Sequence, residues 1–400
     1  MTIERPDIEA PEQVFPPATP EPLEPAPEYE RLRRECPVAR VRLPSGDHAW
    51  LVTGYRDNRA LFADNTFSRA AATAPGAPRL RAAALETRSI TVLDPPEHTR
   101  VRRLVLHAFT SARVERMRPG ITRLAEDLLD AMVKGGRPAD LVEAFARPLP
   151  IAVISELLGI PEGDRWRFRA WAEDYLGQSR ERIERGGARL KAYFADLVEW
   201  RRAAPGDDLF SSLVTMPPQD RLDDEDLIVL GVTLLVAGFE TVANEIACAT
   251  VVLLRHPEQL RRLQDDPGLL PSAVEELLRF TPISVSGGTI RVALGDTELA
   301  GTPIRAGEGV LPAIVSADRD PEIFTDPDVL DLGRSPNPHI AFGHGIHRCL
   351  GAQLARAELQ IAFATLLARL PGLRLAIPFE DLDWRKEGMI RGPRSLPVTW

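Results

Sequence analysis

The longest apolar run in this chain covers residues 227–239 and closes on Glu240. It lies inside a helical pattern over 223–255, which at 1.5 Å per residue makes a rod about 50 Å long. The apolar run itself falls short of the ~20 residues that a membrane span needs. The expectation is therefore a core helix in a chain with no membrane anchor. The motif AGFET occupies 237–241, in the middle of that helix. A glutamate and a threonine there are costly to bury without partners. On their own, a local hydrogen-bonded kink accounts for Glu240 and Thr241 as well as catalysis does.

What surrounds this rod is mostly helical too. Ile121, Leu124, Leu128 and Met132 recur at helical spacing before Gly135 and Gly136. Similar patterns occupy 150–159, 164–203, 258–264, 270–280 and 352–370. The alternation at 38–43 and 48–53, joined by the turn residues Pro44 to Asp47, predicts a β-hairpin. Short extended pieces fill 281–340, and a last strand pair is expected over 373–377 and 396–399. The fold class is thus mainly α with a small β part, in a single domain over 29–400. Residues 1–28 are acidic and proline-rich, and read as a flexible arm.

A net charge of −9 gives no basic face for nucleic acid. No apolar segment near the start resembles a signal peptide. Cys36, Cys248 and Cys349 are odd in number and far apart, so no disulfide framework or zinc pattern can be built from them. A reducing cytoplasm is expected.

Cys349 nevertheless has an unusual setting, FGHGIHRCLG at 342–351, just before the 352–370 helix. Helix N-terminal amides lower a thiol's pKa, and the thiolate is the metal-binding form. The glycines permit backbone angles and close approaches that side chains forbid. A lone cysteine before a helix is commonly a buried core residue, and the spacing alone leaves that reading open.

The full pattern, F-G-x-G-x-H-x-C-x-G, is the haem-binding signature of the cytochrome P-450 family, and this chain resembles that family over about 30–400. The resemblance implies the cytochrome P-450 fold, with haem b held between the long central helix and the cysteine-loop helix. It implies Cys349 as the thiolate ligand of the iron and His347 as a propionate partner. AGFET matches the family's oxygen-activation motif, with Thr241 hydrogen-bonding dioxygen and Glu240 relaying protons. In DPPEHTRVR (94–102), His98 and Arg102 share one helix face and match propionate-binding positions, as does Arg291. Glu276, Arg279 and Arg334 match a structural network that fixes the approach to the cysteine loop.

FSR at 67–69, ISELLGIP at 154–161 and the run 316–334 also agree, although Asp318 stands where the family more often has Asn. The implied activity is a haem-thiolate monooxygenase that hydroxylates, epoxidises or oxidatively couples a small organic substrate with O₂. Electrons would come from NAD(P)H through a separate ferredoxin and ferredoxin reductase, because the chain has no flavin or iron–sulfur region. Arg103, Arg348 and Arg356 are candidate docking cations for an acidic ferredoxin. A peroxide-driven peroxygenase and a haem-thiolate sensor or carrier are the alternatives; Glu240 and Thr241 speak against both.

The resemblance implies a pocket lined by 73–90, 165–190, Val236, Ala237, 283–289, Met389 and Ile390. The small polar stretch at 283–289 favours a substrate with hydrogen-bonding groups. With its arginine- and alanine-rich texture the chain resembles the family's soluble bacterial members of actinobacterial secondary metabolism, which implies a substrate of that kind.

Overall fold

The structure is a computed structural model and describes residues 13–80, 86–177, 179–284, 288–385 and 390–400. The chain starts with β1 (Gln13–Val14) and α1 (Pro27–Glu35), then the hairpin β2 (Val38–Arg42) and β3 (His48–Val52). Next come α2 (Tyr55–Ala63), β4 (Phe67–Ser68), α3 (Glu97–Leu106) and α4 (Ser111–Gly135). β5 (Ala139–Asp140), α5 (Pro148–Leu158), α6 (Arg165–Tyr175), α7 (Arg180–Ala203) and α8 (Leu209–Val214) lead into α9 (Asp224–Arg255). Behind it lie α10 (Pro257–Asp265), α11 (Leu270–Phe280), β6 (Arg291–Ala293), β7 (Thr297–Leu299), β8 (Thr302–Ile304), β9 (Gly309–Pro312) and α12 (Ile314–Ala317). α13 (Ala352–Arg369), β10 (Arg374–Leu375) and β11 (Pro397–Thr399) come last.

Why α9 forms is legible at its start. The Asp223 carboxylate accepts the Asp226 backbone N–H, and Asp224, Glu225 and Asp226 fill the first turn. That arrangement satisfies an orphan donor and complements the helix dipole. The helix then packs against α5, α7 and α13, with Leu227, Leu235, Ile246 and Val251 fully buried. By length and composition it could cross a bilayer, but 67% of its most apolar window is buried inside the protein. It is the core's axle.

The main sheet runs β1-β2-β3-β9-β6-β4. Its hairpin pairs Val38 with Val52 and Arg42 with His48, as the alternation predicts. Three further strands, β10-β11-β5, include the expected C-terminal pair and recruit Ala139–Asp140 as a third member.

Two expectations are corrected. From Gln13 onward the proline-rich segment is not an arm. β1 pairs in parallel with β2, and Phe15, Leu23 and Ala26 are buried. Their apolar side chains anchor a stretch whose prolines exclude helix but not an extended path; residues 1–12 lie outside the described residues. The pattern at 164–203 is two helices rather than one. Gly177 follows the end of α6, and α7 folds back on it so closely that a Cβ at Gly186 would sit 2.5 Å from the Trp171 carbonyl oxygen. The periodicity continues across the break because both helices bury one face against the same core.

Candidate active site

Cys349 stands at the end of a loop whose shape is set from both sides. Its backbone N–H donates to the Phe342 carbonyl at 2.8 Å. Gly345 has φ +70, and a Cβ there would fall 2.1 Å from the Phe62 carbonyl oxygen, so only glycine fits. Behind the loop, the Glu275 carboxylate accepts from Arg356 at 2.6 and 2.7 Å and meets His339 Nε2 at 2.9 Å. The Arg356 guanidinium lies 4.6 Å over the Phe342 ring. Burial works against the charge on Glu275, but His339 and Arg356 hold its pKa down at about 2. Arg356 is therefore committed to this clamp and is not a free docking cation.

The thiol opens onto the cavity and is enclosed by protein elsewhere. Burial raises its pKa, against the Gly351 backbone N–H and the neighbouring Arg102, Arg348 and Arg356. The helix N-terminus pulls in the expected direction, but desolvation outweighs it. A metal that takes the sulfur as thiolate would release the proton.

Next to the cysteine loop lies a cationic pole. Arg69 and Arg291 are 9% and 3% exposed, and His98 is 1% exposed. The His98 and His347 rings pack with centroids 4.3 Å apart. Arg102 ties α3 to the loop by donating to the Arg348 carbonyl at 2.7 Å. Among the described residues, Arg69 Nε, His98 Nε2 and His347 Nε2 are buried without hydrogen-bond partners. Burial and the crowding of like charge push His98 down to about 4 and His347 to about 2. They also lower Arg69 to about 9, while burial outweighs Asp94 to bring Arg291 to about 10. So much unbalanced positive charge is costly. A cofactor carrying two carboxylates fits it by charge and by hydrogen bonding.

Of the sequence-predicted set, Arg102, Arg291 and His347 line the cavity, whereas His98 stands behind His347. Arg69 joins them. Its only sequence signal was membership of FSR at 67–69, because nothing in one sequence places β4 beside β6.

The opposite wall is α9. Thr233, Ala237, Thr241 and Glu245 lie at four-residue intervals and all line the cavity. Thr241 Oγ1 donates to the Ala237 carbonyl at 2.8 Å. Glu240 is 2% exposed and faces away from the cavity. Its carboxylate pairs with Arg385 and accepts from Asn244 Nδ2 at 3.2 Å. So the structure brings Thr241 to the cavity and puts Glu240 behind it.

The cavity measures about 520 Å³, and Ile90, Thr91, Ile283, Ser284 and Thr289 also line it. No described residue of 165–190 lines it, because α5 contributes Ile154 instead. Neither Val236 nor Ile390 lines it. The expected contributions of 81–85, 178, 285–287 and Met389 lie outside the described residues. A cavity-facing cysteine, a cluster of arginines and histidines with unpartnered buried nitrogens and a hydroxyl-bearing helix opposite could together hold an anionic, metal-centred cofactor.

A family model described as Cytochrome P450 matches residues 268–371. The nocardicin C N-oxygenase of Nocardia uniformis subsp. tsuyamanensis is 48% identical over 378 residues, 94% of this chain and 95% of that protein. The mycinamicin IV hydroxylase/epoxidase of Micromonospora griseorubida is 46% identical, covering 93% and 94%. Among solved structures, the LnmA cytochrome P450 hydroxylase from the leinamycin biosynthetic pathway of Streptomyces atroolivaceus superposes with a TM-score of 0.90 at 48% identity. That match covers 97% of this chain and 100% of the other. The chain belongs to the cytochrome P450 family. It is an oxidoreductase of the monooxygenase class with a haem-iron cofactor, and its relatives serve antibiotic and secondary-metabolite biosynthesis.

Proposed function

We propose that the haem lies between α9 and the cysteine loop, with Cys349 as its iron ligand and Arg102, Arg291, His98 and His347 serving its propionates. In this reading the enzyme oxygenates a small, hydrogen-bonding secondary metabolite. The carrying observation is the cationic pole, whose buried nitrogens lack partners beside a cavity-facing cysteine. Bound there, the haem supplies the activation of dioxygen, so that one oxygen atom enters a C–H bond or double bond and the other leaves as water.

The chain's own residues have separable tasks. Thr241 Oγ1 spends its proton on the Ala237 carbonyl, so towards the cavity its oxygen is an acceptor that orients a proton-bearing neighbour. Glu240, held by Arg385 and Asn244 behind the helix, takes protons from the solvent side and passes them to Thr241. The two acting together fit oxygenase chemistry better than peroxide use or ligand sensing, neither of which needs a proton path.

On the substrate side, Ser89 Oγ lies 2.9 Å from Thr91 Oγ1 and 3.0 Å from Thr233 Oγ1. These hydroxyls, among apolar walls, favour an oxygen- or nitrogen-bearing scaffold over a plain acyl chain. Relatives named for nocardicin C and mycinamicin IV point to the same kind of scaffold.

Electrons come from a cytoplasmic ferredoxin served by an NAD(P)H-dependent reductase. Arg348 and the exposed Arg103, whose nearest carboxylate is Asp220 at 3.7 Å, are the docking cations. Reversing both charges should slow first-electron transfer at low salt and matter little at high salt; equal rates at low salt would remove these residues from the docking face. The main reading is tested by C349A reconstituted with haem. Loss of the thiolate-shifted Soret band of the reduced CO complex, together with loss of turnover, is expected. A retained band would exclude Cys349 as the ligand.

A further inference from the structure

Five residues beyond Glu240, the same helix carries a second buried acid that the proton path above does not use. Glu245 is 3% exposed and lines the cavity one turn past Thr241, on the same stripe. Its Oε1 has no hydrogen-bond partner among the described residues, and no cation pairs with it there. Glu240 differs in each respect: it faces away from the cavity and is held by Arg385 and Asn244.

We propose that Glu245 is a further proton donor of this active site, acting directly into the cavity from the α9 stripe beside Thr241. The proposal rests on the haem-site reading above. Burial pushes the Glu245 pKa well above the usual carboxylate range, against the opposing pull of the Thr281 hydroxyl. The protonated form is favoured, because an unpaired buried carboxylate is the costlier form. In the proposed step, the Glu245 O–H bond breaks and its proton passes to a water or hydroxyl in the cavity. The carboxylate left behind is reprotonated by a proton relayed from bulk solvent along water entering the cavity, so each cycle delivers one solvent proton and needs no redox partner. Monooxygenation consumes two protons per turnover, and two acids of opposite setting suit two deliveries. Glu240 would serve through a solvent-side ion pair and Glu245 as a reservoir already inside.

The test uses the haem-loaded, full-length protein with E245Q, E245D and E358Q. Glu358 is the comparison because it also lines the cavity, is 2% exposed and has an unpartnered Oε2. Infrared difference spectra should show a protonated carboxyl C=O stretch that disappears in E245Q, shifts in E245D and persists in E358Q. With a surrogate ferredoxin, its reductase, NADPH and no substrate, O₂ reduction divides between hydrogen peroxide and water. Because a positioned acid is worth ~10²–10⁴ in a proton transfer and Glu240 remains, E245Q should lower the water-forming branch by about tenfold. The NADPH-to-O₂ ratio should fall accordingly, with E245D restoring part of it. An ionised Glu245, or an unchanged ratio in E245Q, overturns the proposal. The reduced CO spectrum of E245Q separates the two readings: a normal thiolate band leaves the haem site standing whether Glu245 passes or fails.

Discussion

Arg279 and Arg291 are both 3% exposed, yet their surroundings differ completely. Arg279 donates to both oxygens of Glu276 at 2.8 Å and to the Asp318 and Pro327 carbonyls at 2.8 Å. Arg334 adds bonds to the same carboxylate at 3.0 and 3.1 Å, and Asn337 another at 3.1 Å. Among the described residues, Arg291 has one hydrogen bond, to the Thr289 carbonyl at 3.3 Å, and lies 4.7 Å from the Phe62 ring. Arg69 adds like charge beside it, and Asp94 offsets only part of the cost of its burial. A buried arginine whose donors are spent on the chain holds the chain together. One whose donors are unspent is free to meet an anion supplied from outside, as proposed for Arg291. The contrast separates scaffold from site without reference to any motif.

The largest effect should come from breaking the satisfied cluster. E276Q leaves two buried guanidiniums short of a counter-charge, which should cost ~3–5 kcal/mol. Urea unfolding of the haem-free and haem-bound proteins should both show the loss. A loss confined to the haem-bound form would mean that the network serves the cofactor rather than the fold. The unsatisfied cluster should behave in the opposite way. R291Q removes a charge-assisted bond to the cofactor, worth ~1.5–3 kcal/mol, or roughly 10- to 100-fold in haem affinity. The haem-free protein, relieved of one unpaired buried charge, should be no less stable and its midpoint should rise slightly. A fall in both quantities would collapse the distinction between the two arginines.

The two clusters were unequally legible in the sequence. Glu276 and Arg279 are one helical turn apart on α11, and that spacing could be read directly. Arg334 required the family pattern, since 58 residues separate it from Glu276. At the cationic pole, the i, i+4 pair His98 and Arg102 was visible, but Arg69 was not. Its place depends on the register of β4 against β6, where Ser68 pairs with Val292. The same limit explains Arg385. Nothing local says that a C-terminal loop folds under α9 to reach Glu240. Long helices and the hairpin came from periodicity, and the cysteine loop from its pattern. What stayed hidden was which side chains meet across elements distant in the chain. The proline-rich start shows the converse error: composition argued for disorder, while Phe15 and Leu23 anchor it.

Between the satisfied and unsatisfied arginines stands Arg356, whose charge is spent on Glu275 but whose ring contact with Phe342 reaches the cysteine loop. The Glu275 pKa, lowered to about 2 in the fold from an ordinary 4.5, makes the clamp pH-dependent with a definite sign. A depressed acid stabilises the fold fully above its unfolded pKa, and that contribution drains away as pH falls from about 4.5 towards 2. The shift corresponds to at most ~3 kcal/mol, and partial exposure of the pair reduces it to about 1 kcal/mol. The stability difference between wild type and E275Q should therefore be constant at pH 5 to 7 and shrink below it. Because Phe342 carries the carbonyl that receives the Cys349 N–H, E275Q should also convert part of the thiolate-type CO spectrum to the thiol type at neutral pH. A variant that lost stability with an unaltered spectrum would make Glu275 a scaffold residue like Glu276, and the clamp would end at α13.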